Sequence, residues 1–150
     1  QIEQIVGIKD SNDDMDYFER LMSLRTLRPD WSILLGPESK IGQAMGLGGD
    51  GAVTGGANVF PTLFVQCYQA ACEGDALRVA KLNQTINEFQ HIYDIGKYAS
   101  RHIKATKCAL SIQGICDDFL AEPFNRFHAP ERARVEAIVQ AIAGRVPAIA

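Results

Sequence analysis

The chain has 150 residues, of which 47% are hydrophobic and 22% charged, the ordinary make-up of a soluble globular domain. Its formal charge is −3, with 15 basic against 18 acidic residues and neither a basic block nor aromatic-basic interleaving, which argues against a nucleic-acid surface. Its apolar stretches are too short for a membrane span, and no signal or transit segment is visible.

The four cysteines, Cys67, Cys72, Cys108 and Cys116, form no C-x-x-C pair. Three of them fall in helical patterns, where a free cysteine acts as a small hydrophobe, so a reduced, cytoplasmic setting is expected. His91, His102 and His128 are far apart and offer no metal spacing, so no metal site is expected. The first residue is Gln1, and the chain runs almost directly into an apolar segment. It therefore reads as a piece of a longer protein.

Residues 3–8 read as a buried strand, ending on Ile5-Val6-Gly7-Ile8 and delivering Lys9 to its carboxyl tip. Asp13 and Asp14 are placed to cap a helix carrying Phe18, Leu21 and Met22, which Pro29 closes. A divalent cation at Asp13, Asp14 and Asp16 is the less common explanation of the same residues. Trp31-Ser32-Ile33-Leu34-Leu35 reads as a second strand, ended by Gly36-Pro37. A brief helix from about Glu38 to Met45 follows, broken by Gly46, Gly48 and Gly49. Gly51-Ala52-Val53-Thr54 reads as a third strand, stopped by Gly55-Gly56. The glycines around it read as tight turns. A phosphate cradle is the weaker reading, because Gly46, Gly48 and Gly49 precede the strand and no Walker pattern follows.

Phe60, Leu63, Phe64, Cys67, Tyr68 and Ala71 recur at helical spacing, with Pro61 in the first turn. Gly74 ends that helix and Asp75 caps the next, striped by Val79, Leu82, Ile86, Phe89 and Tyr93. A further helical region runs from about Tyr98 to Ser111. The last helix carries Val135, Ile138, Val139 and Ile142, between Pro130 and Gly144. The order of strand-helix units followed by helices alone predicts an α/β fold with parallel strands. In such folds ligands bind at the carboxyl ends of the strands. An amine held there in a partly apolar site loses preference for its charged form and becomes a nucleophile for a carbonyl carbon. Most lysines at strand ends instead reach to solvent.

Val6-Gly7-Ile8-Lys9-Asp10-Ser11, Leu34-Leu35-Gly36-Pro37-Glu38 and Gly48-Gly49-Asp50-Gly51-Ala52-Val53-Thr54-Gly55-Gly56 together resemble the C-terminal half of the dihydrodipicolinate synthase / N-acetylneuraminate lyase family of class I aldolases. Ile103-Lys104-Ala105-Thr106-Lys107-Cys108-Ala109-Leu110 and Gly114-Ile115 resemble its C-terminal helices. The resemblance implies a (β/α)8 TIM barrel with extra helices. Residues 1–73 would supply strands six to eight and residues 74–150 the helical extension.

It further implies that Lys9 is the Schiff-base lysine, attacking the keto carbon of pyruvate or another 2-keto acid. No cofactor beyond that covalent adduct is implied. Gly36 falls where the family lets substrate approach the backbone, and Val53 where strand eight contacts the pyruvyl group. Glu38, Thr54 and Gly55 fall where sialic-acid-cleaving relatives handle the substrate tail. The expected activity is aldol cleavage or condensation, for example of 2-keto-3-deoxy sugar acids. Dihydrodipicolinate synthesis and keto-deoxy sugar acid dehydration use the same lysine chemistry. The family's Y-x-x-P tyrosine and threonine-rich carboxylate loop do not occur here, and a barrel needs about 250 residues. The segment by itself is therefore expected to be inactive. A truncated, non-catalytic interaction module remains the alternative from a different class. The resemblance also implies a homotetramer.

Overall fold

The computed structural model describes residues 2–146. Gln1 and residues 147–150, the ends of the two expected segments, lie outside them. The described chain forms two compact units: residues 2–55 with 64–83, and residues 56–63 with 84–146.

The first unit holds a three-stranded parallel sheet in the order β1 (Gly7–Asp10), β2 (Ser32–Leu35), β3 (Gly51–Ala52). Helix α1 (Met15–Met22) connects β1 to β2, and α2 (Ile41–Gly46) connects β2 to β3. Side chains alternate between the faces of a strand. Ile33 and Leu35 pack with Phe18 and Leu21 of α1 and Ala44 of α2 into the core, and Ile8 and Ala52 join them. Lys9, Leu34 and Gly51 stand in one row across the sheet on its other face.

The first strand is shorter at its start than the apolar run suggests. Glu3 and Gln4 form a turn, and pairing begins at Gly7. The Val6 side chain is 68% exposed. The Ile5 carbonyl accepts a hydrogen bond from Arg28 (3.0 Å), outside the ladder, whereas the Val6 carbonyl accepts from the Ser32 amide (3.0 Å) and opens it. At the other end the strand runs through Lys9 to Asp10, so Lys9 lies within the ladder and not beyond it. Likewise β3 covers only Gly51 and Ala52. Val53 still donates to the Leu35 carbonyl (2.7 Å), after which the chain turns away.

Of the two expected caps of the first helix only Asp14 serves, Asp13 being paired with Lys40, and Asp75 caps its helix as expected. The Asp14 carboxylate accepts from the Asp16 and Tyr17 amides (2.9 and 3.1 Å), and that of Asp75 from the Arg78 amide (2.9 Å). Helix α1 tightens to a 3-10 turn over Ser23–Thr26, ahead of Pro29. Gly48 takes a φ of 88° in the turn between α2 and β3, a conformation that suits glycine.

Helix α3 (Pro61–Cys72) begins in the second unit and ends in the first, and α4 (Ala76–Gln90) begins in the first and ends in the second. The second unit is completed by α5 (Arg101–Ile112) and α6 (Ala129–Ala143). Its core contains Phe60, Ile86, Phe89, Ile92, Ala105, Cys108, Val135, Val139 and Ile142. Phe60 meets Phe89 edge-on at 5.4 Å between ring centres. Tyr93 lies past the end of α4, in a 3-10 turn over His91–Asp94. All four cysteines are free thiols. No helix among the described residues is long and apolar enough to cross a membrane.

Candidate active site

The parallel register brings three strand ends together. Lys9 is opposite Leu34, Asp10 opposite Leu35, and Leu35 opposite Ala52. The Lys9 side chain is exposed on the face away from α1 and α2. Its Nζ donates to the Ser11 hydroxyl at 2.7 Å. Among the described residues no carboxylate forms an ion pair with it. Asp13, four residues further along the chain, is taken up by Lys40, whose Nζ lies 3.1 Å from the carboxylate and donates to the Asp13 carbonyl at 2.7 Å.

Gly36 follows β2 directly beside this amine. Its amide donates to the Asp10 carbonyl at 2.7 Å, extending the ladder one step past the strand. A β-carbon at position 36 would lie 3.0 Å from that carbonyl oxygen, 3.1 Å from Lys9 Nζ and 3.1 Å from the Ser11 α-carbon. Glycine is thus what the backbone admits here without displacing the amine.

Of the other expected site residues, Val53 and Thr54 follow β3 at the same end of the sheet. Val53 is 53% exposed, whereas Thr54 is buried and Gly55 exposed. Glu38 is 6% exposed, in the short 3-10 turn after Pro37. Lys9 and Gly36 are therefore brought into contact distance, and Val53 sits one strand further along. Glu38 is drawn into the protein and away from solvent.

The surrounding turns are tied down. Asp10 is buried, and its carboxylate accepts from the Asn12 amide (2.9 Å). The Asn83 side chain of α4 donates to the Ser39 carbonyl (2.7 Å). At the opposite end of the sheet, Asp50 accepts from the Ile33 amide (2.7 Å) and pairs with Arg25. The Ile33 amide bond, with help from Arg25, holds the Asp50 carboxyl below the usual carboxylate range against a smaller desolvation cost.

Ser11 is the contact that reading the chain left without a role. The available signal was its position two residues beyond a strand-end lysine. Among the described residues no group of three His, Cys, Asp or Glu side chains is arranged to hold a metal ion. Chemically, the site presents a primary amine, a hydroxyl at its side and a cleared backbone patch, an arrangement open to attack on a carbonyl carbon.

The sequence profile of the Dihydrodipicolinate synthetase family matches residues 1–142. The Escherichia coli (strain K12) protein "Probable 2-dehydro-3-deoxy-D-pentonate aldolase YjhH" is 38% identical over 94 residues, which are 62% of this chain and 31% of that protein. The structure of dihydrodipicolinate synthase from Bacteroides thetaiotaomicron superposes with a TM-score of 0.86 at 39% identity, covering 91% of this chain and 46% of that one. The Escherichia coli K12 protein YagE, solved in complex with pyruvate, shares the fold with a TM-score of 0.82 at 23% identity, over 93% of this chain and 46% of its own. The chain thus spans less than half the length of these relatives.

Proposed function

Because the chain belongs to the dihydrodipicolinate synthetase family, we propose that it supplies the Schiff-base lysine, and part of the substrate-binding wall, of a lyase acting on 2-keto acids. The observation that carries this reading is the pairing of Lys9 Nζ with the cleared backbone at Gly36, 3.1 Å from where a β-carbon would stand. On this reading β1, β2 and β3 are strands six, seven and eight of a (β/α)8 barrel. The row of Lys9, Leu34 and Gly51 then faces the barrel interior.

The chemistry follows from an amine nucleophile. The neutral Lys9 nitrogen adds to the C2 carbonyl carbon, and loss of water leaves an iminium. In cleavage, a base removes the C4 hydroxyl proton and the C3–C4 bond breaks. Its electron pair moves into the iminium, giving an aldehyde and the enamine of pyruvate. Protonation at C3 and addition of water release pyruvate and restore the amine. Condensation runs the same steps backwards. This divides one difficult bond change into easier ones, with no cofactor other than the adduct.

Ser11 orients the amine through its 2.7 Å hydrogen bond. Gly36 and Val53 are assigned to the pyruvyl end of the substrate, and Thr54, Gly55 and Glu38 to its tail. The general base is assigned to the family tyrosine of the Y-x-x-P motif, which is not among these residues. Identity to the 2-dehydro-3-deoxy-pentonate aldolase supports a keto-deoxy sugar acid as substrate. The 39% identity to a dihydrodipicolinate synthase favours a second reading, condensation by the same lysine.

The test is a borohydride trap on the natural protein that carries this chain. After incubation with pyruvate and reduction, the mass should rise by one reduced pyruvyl group, mapped to Lys9. Lys9→Ala and Lys9→Arg should form no adduct and turn nothing over, while remaining folded. Turnover by either variant would defeat the assignment.

A further inference from the structure

The second unit contains a cavity of about 230 Å³ between the start of α5 and the loop that leads into α6. Lys97, Arg101, Lys104 and Arg126 contribute cationic side chains to its lining, against the single carboxylate of Glu131. Arg126 is already paired with Asp117 (3.4 Å) and Asp118 (3.2 Å). Lys97, Arg101 and Lys104 have no acceptor among the described residues.

The half-buried Arg101 makes this more than a solvated basic face. Its Nε is shielded from solvent yet has no hydrogen-bond partner. A buried polar group left unmatched is costly, and more so when it is charged. Gly96 shapes the same hollow: at a φ of 105°, a β-carbon there would meet Arg101 Cβ at 3.1 Å and the Phe127 ring at 3.2 Å.

We propose that this hollow binds a phosphate group, as inorganic phosphate or a small phosphate monoester. Two lysines and a guanidinium that form no ion pair among the described residues, and that outnumber the one carboxylate of Glu131, match a dianion with several acceptor oxygens. The volume lies below that of sites for drug-sized ligands, so the occupant is small. This pocket lies in the second unit and takes none of the residues assigned to the Schiff-base chemistry.

The test is a calorimetric titration of the natural protein with inorganic phosphate at constant ionic strength, with chloride and acetate as controls. Saturable binding at one phosphate per chain is expected, with no matching response to chloride or acetate. Lys104→Gln should weaken it about tenfold or more, and Lys97→Gln in the same direction. Arg101→Gln should abolish it. If that variant fails to fold, the two lysine variants decide the matter. No saturation, an equal response to chloride, or unchanged affinity in both lysine variants would overturn the proposal. Equally tight binding of acetate at this site would replace phosphate by a carboxylate and overturn it as well.

Discussion

Gly36 and Lys9 share a space that only one of them fills: a β-carbon at position 36 would stand 3.1 Å from the Lys9 ammonium nitrogen. The same carbon would stand 3.0 Å from the Asp10 carbonyl, so the pressure falls on backbone as well as on the mobile end of a side chain. Gly36→Ala should therefore fold with a loss of about 1–3 kcal/mol, the usual cost of overpacking. Adduct formation with pyruvate should slow more than tenfold, on the order of what a misplaced reacting group costs. Borohydride trapping rates beside a denaturant titration separate the two effects.

Removing the hydroxyl of Ser11 leaves Lys9 Nζ without the acceptor it has at 2.7 Å. Ser11→Ala should slow adduct formation about tenfold, the value of one charge-assisted hydrogen bond. Ser11→Thr, which keeps the hydroxyl, should restore most of the rate. A single-turnover assay of the two variants checks this, and equal rates for wild type and Ser11→Ala would remove Ser11 from the site.

Asp50 links β2 to Arg25 through the Ile33 amide, and its folded-state titration lies below the ordinary range. A carboxyl depressed in this way contributes stability above its unfolded value, about pH 4. That contribution fades as pH falls through the lower folded value. Asp50→Asn should cost about 1 kcal/mol at neutral pH, at the low end for a charged hydrogen bond because the side chain is 36% exposed. The gap between wild type and variant, measured by urea unfolding, should hold from neutrality to about pH 5 and shrink below about pH 4.

Burial pushes the Cys67 and Cys108 thiols up from their ordinary range, while Cys72 and Cys116 are exposed. A thiol reagent at neutral pH should label Cys72 and Cys116 quickly and the other two only after unfolding. Peptide mapping of the labelled protein distinguishes the four.

Much of the architecture follows from local rules. Asp14 and Asp75 announce their helices because a carboxylate before a helical run has few better uses. Helix α3 is readable from the spacing of Leu63, Phe64 and Cys67, all buried as that spacing requires. Ile5 misleads for the opposite reason. Apolar character alone does not say whether a residue pairs, and here the Arg28 side chain claims the Ile5 carbonyl. Lys9 and Gly36 stand out individually as strand-end residues, yet their proximity depends on the register of β1 against β2, which no local pattern encodes. The cluster of Lys97, Arg101 and Lys104 with Arg126 was similarly out of reach. It forms because the irregular chain before α6 folds back onto the start of α5, and irregular segments carry no periodic signal.

Lys9 and Asp10 are consecutive, yet one is exposed beside Leu34 and Gly51 while the other is buried behind the sheet. Which side chain stands on the face with Leu34 and Gly51 is thus selected by counting along β1 from its pairing with Ser32. A one-residue deletion between Gly7 and Lys9 would present a carboxylate where the amine stands, and a one-residue insertion would present Ile8. Length changes before Gly7 carry no such penalty, since the Glu3–Gln4 turn lies outside the ladder. Tolerance of insertions and deletions in this protein should therefore change abruptly at Gly7.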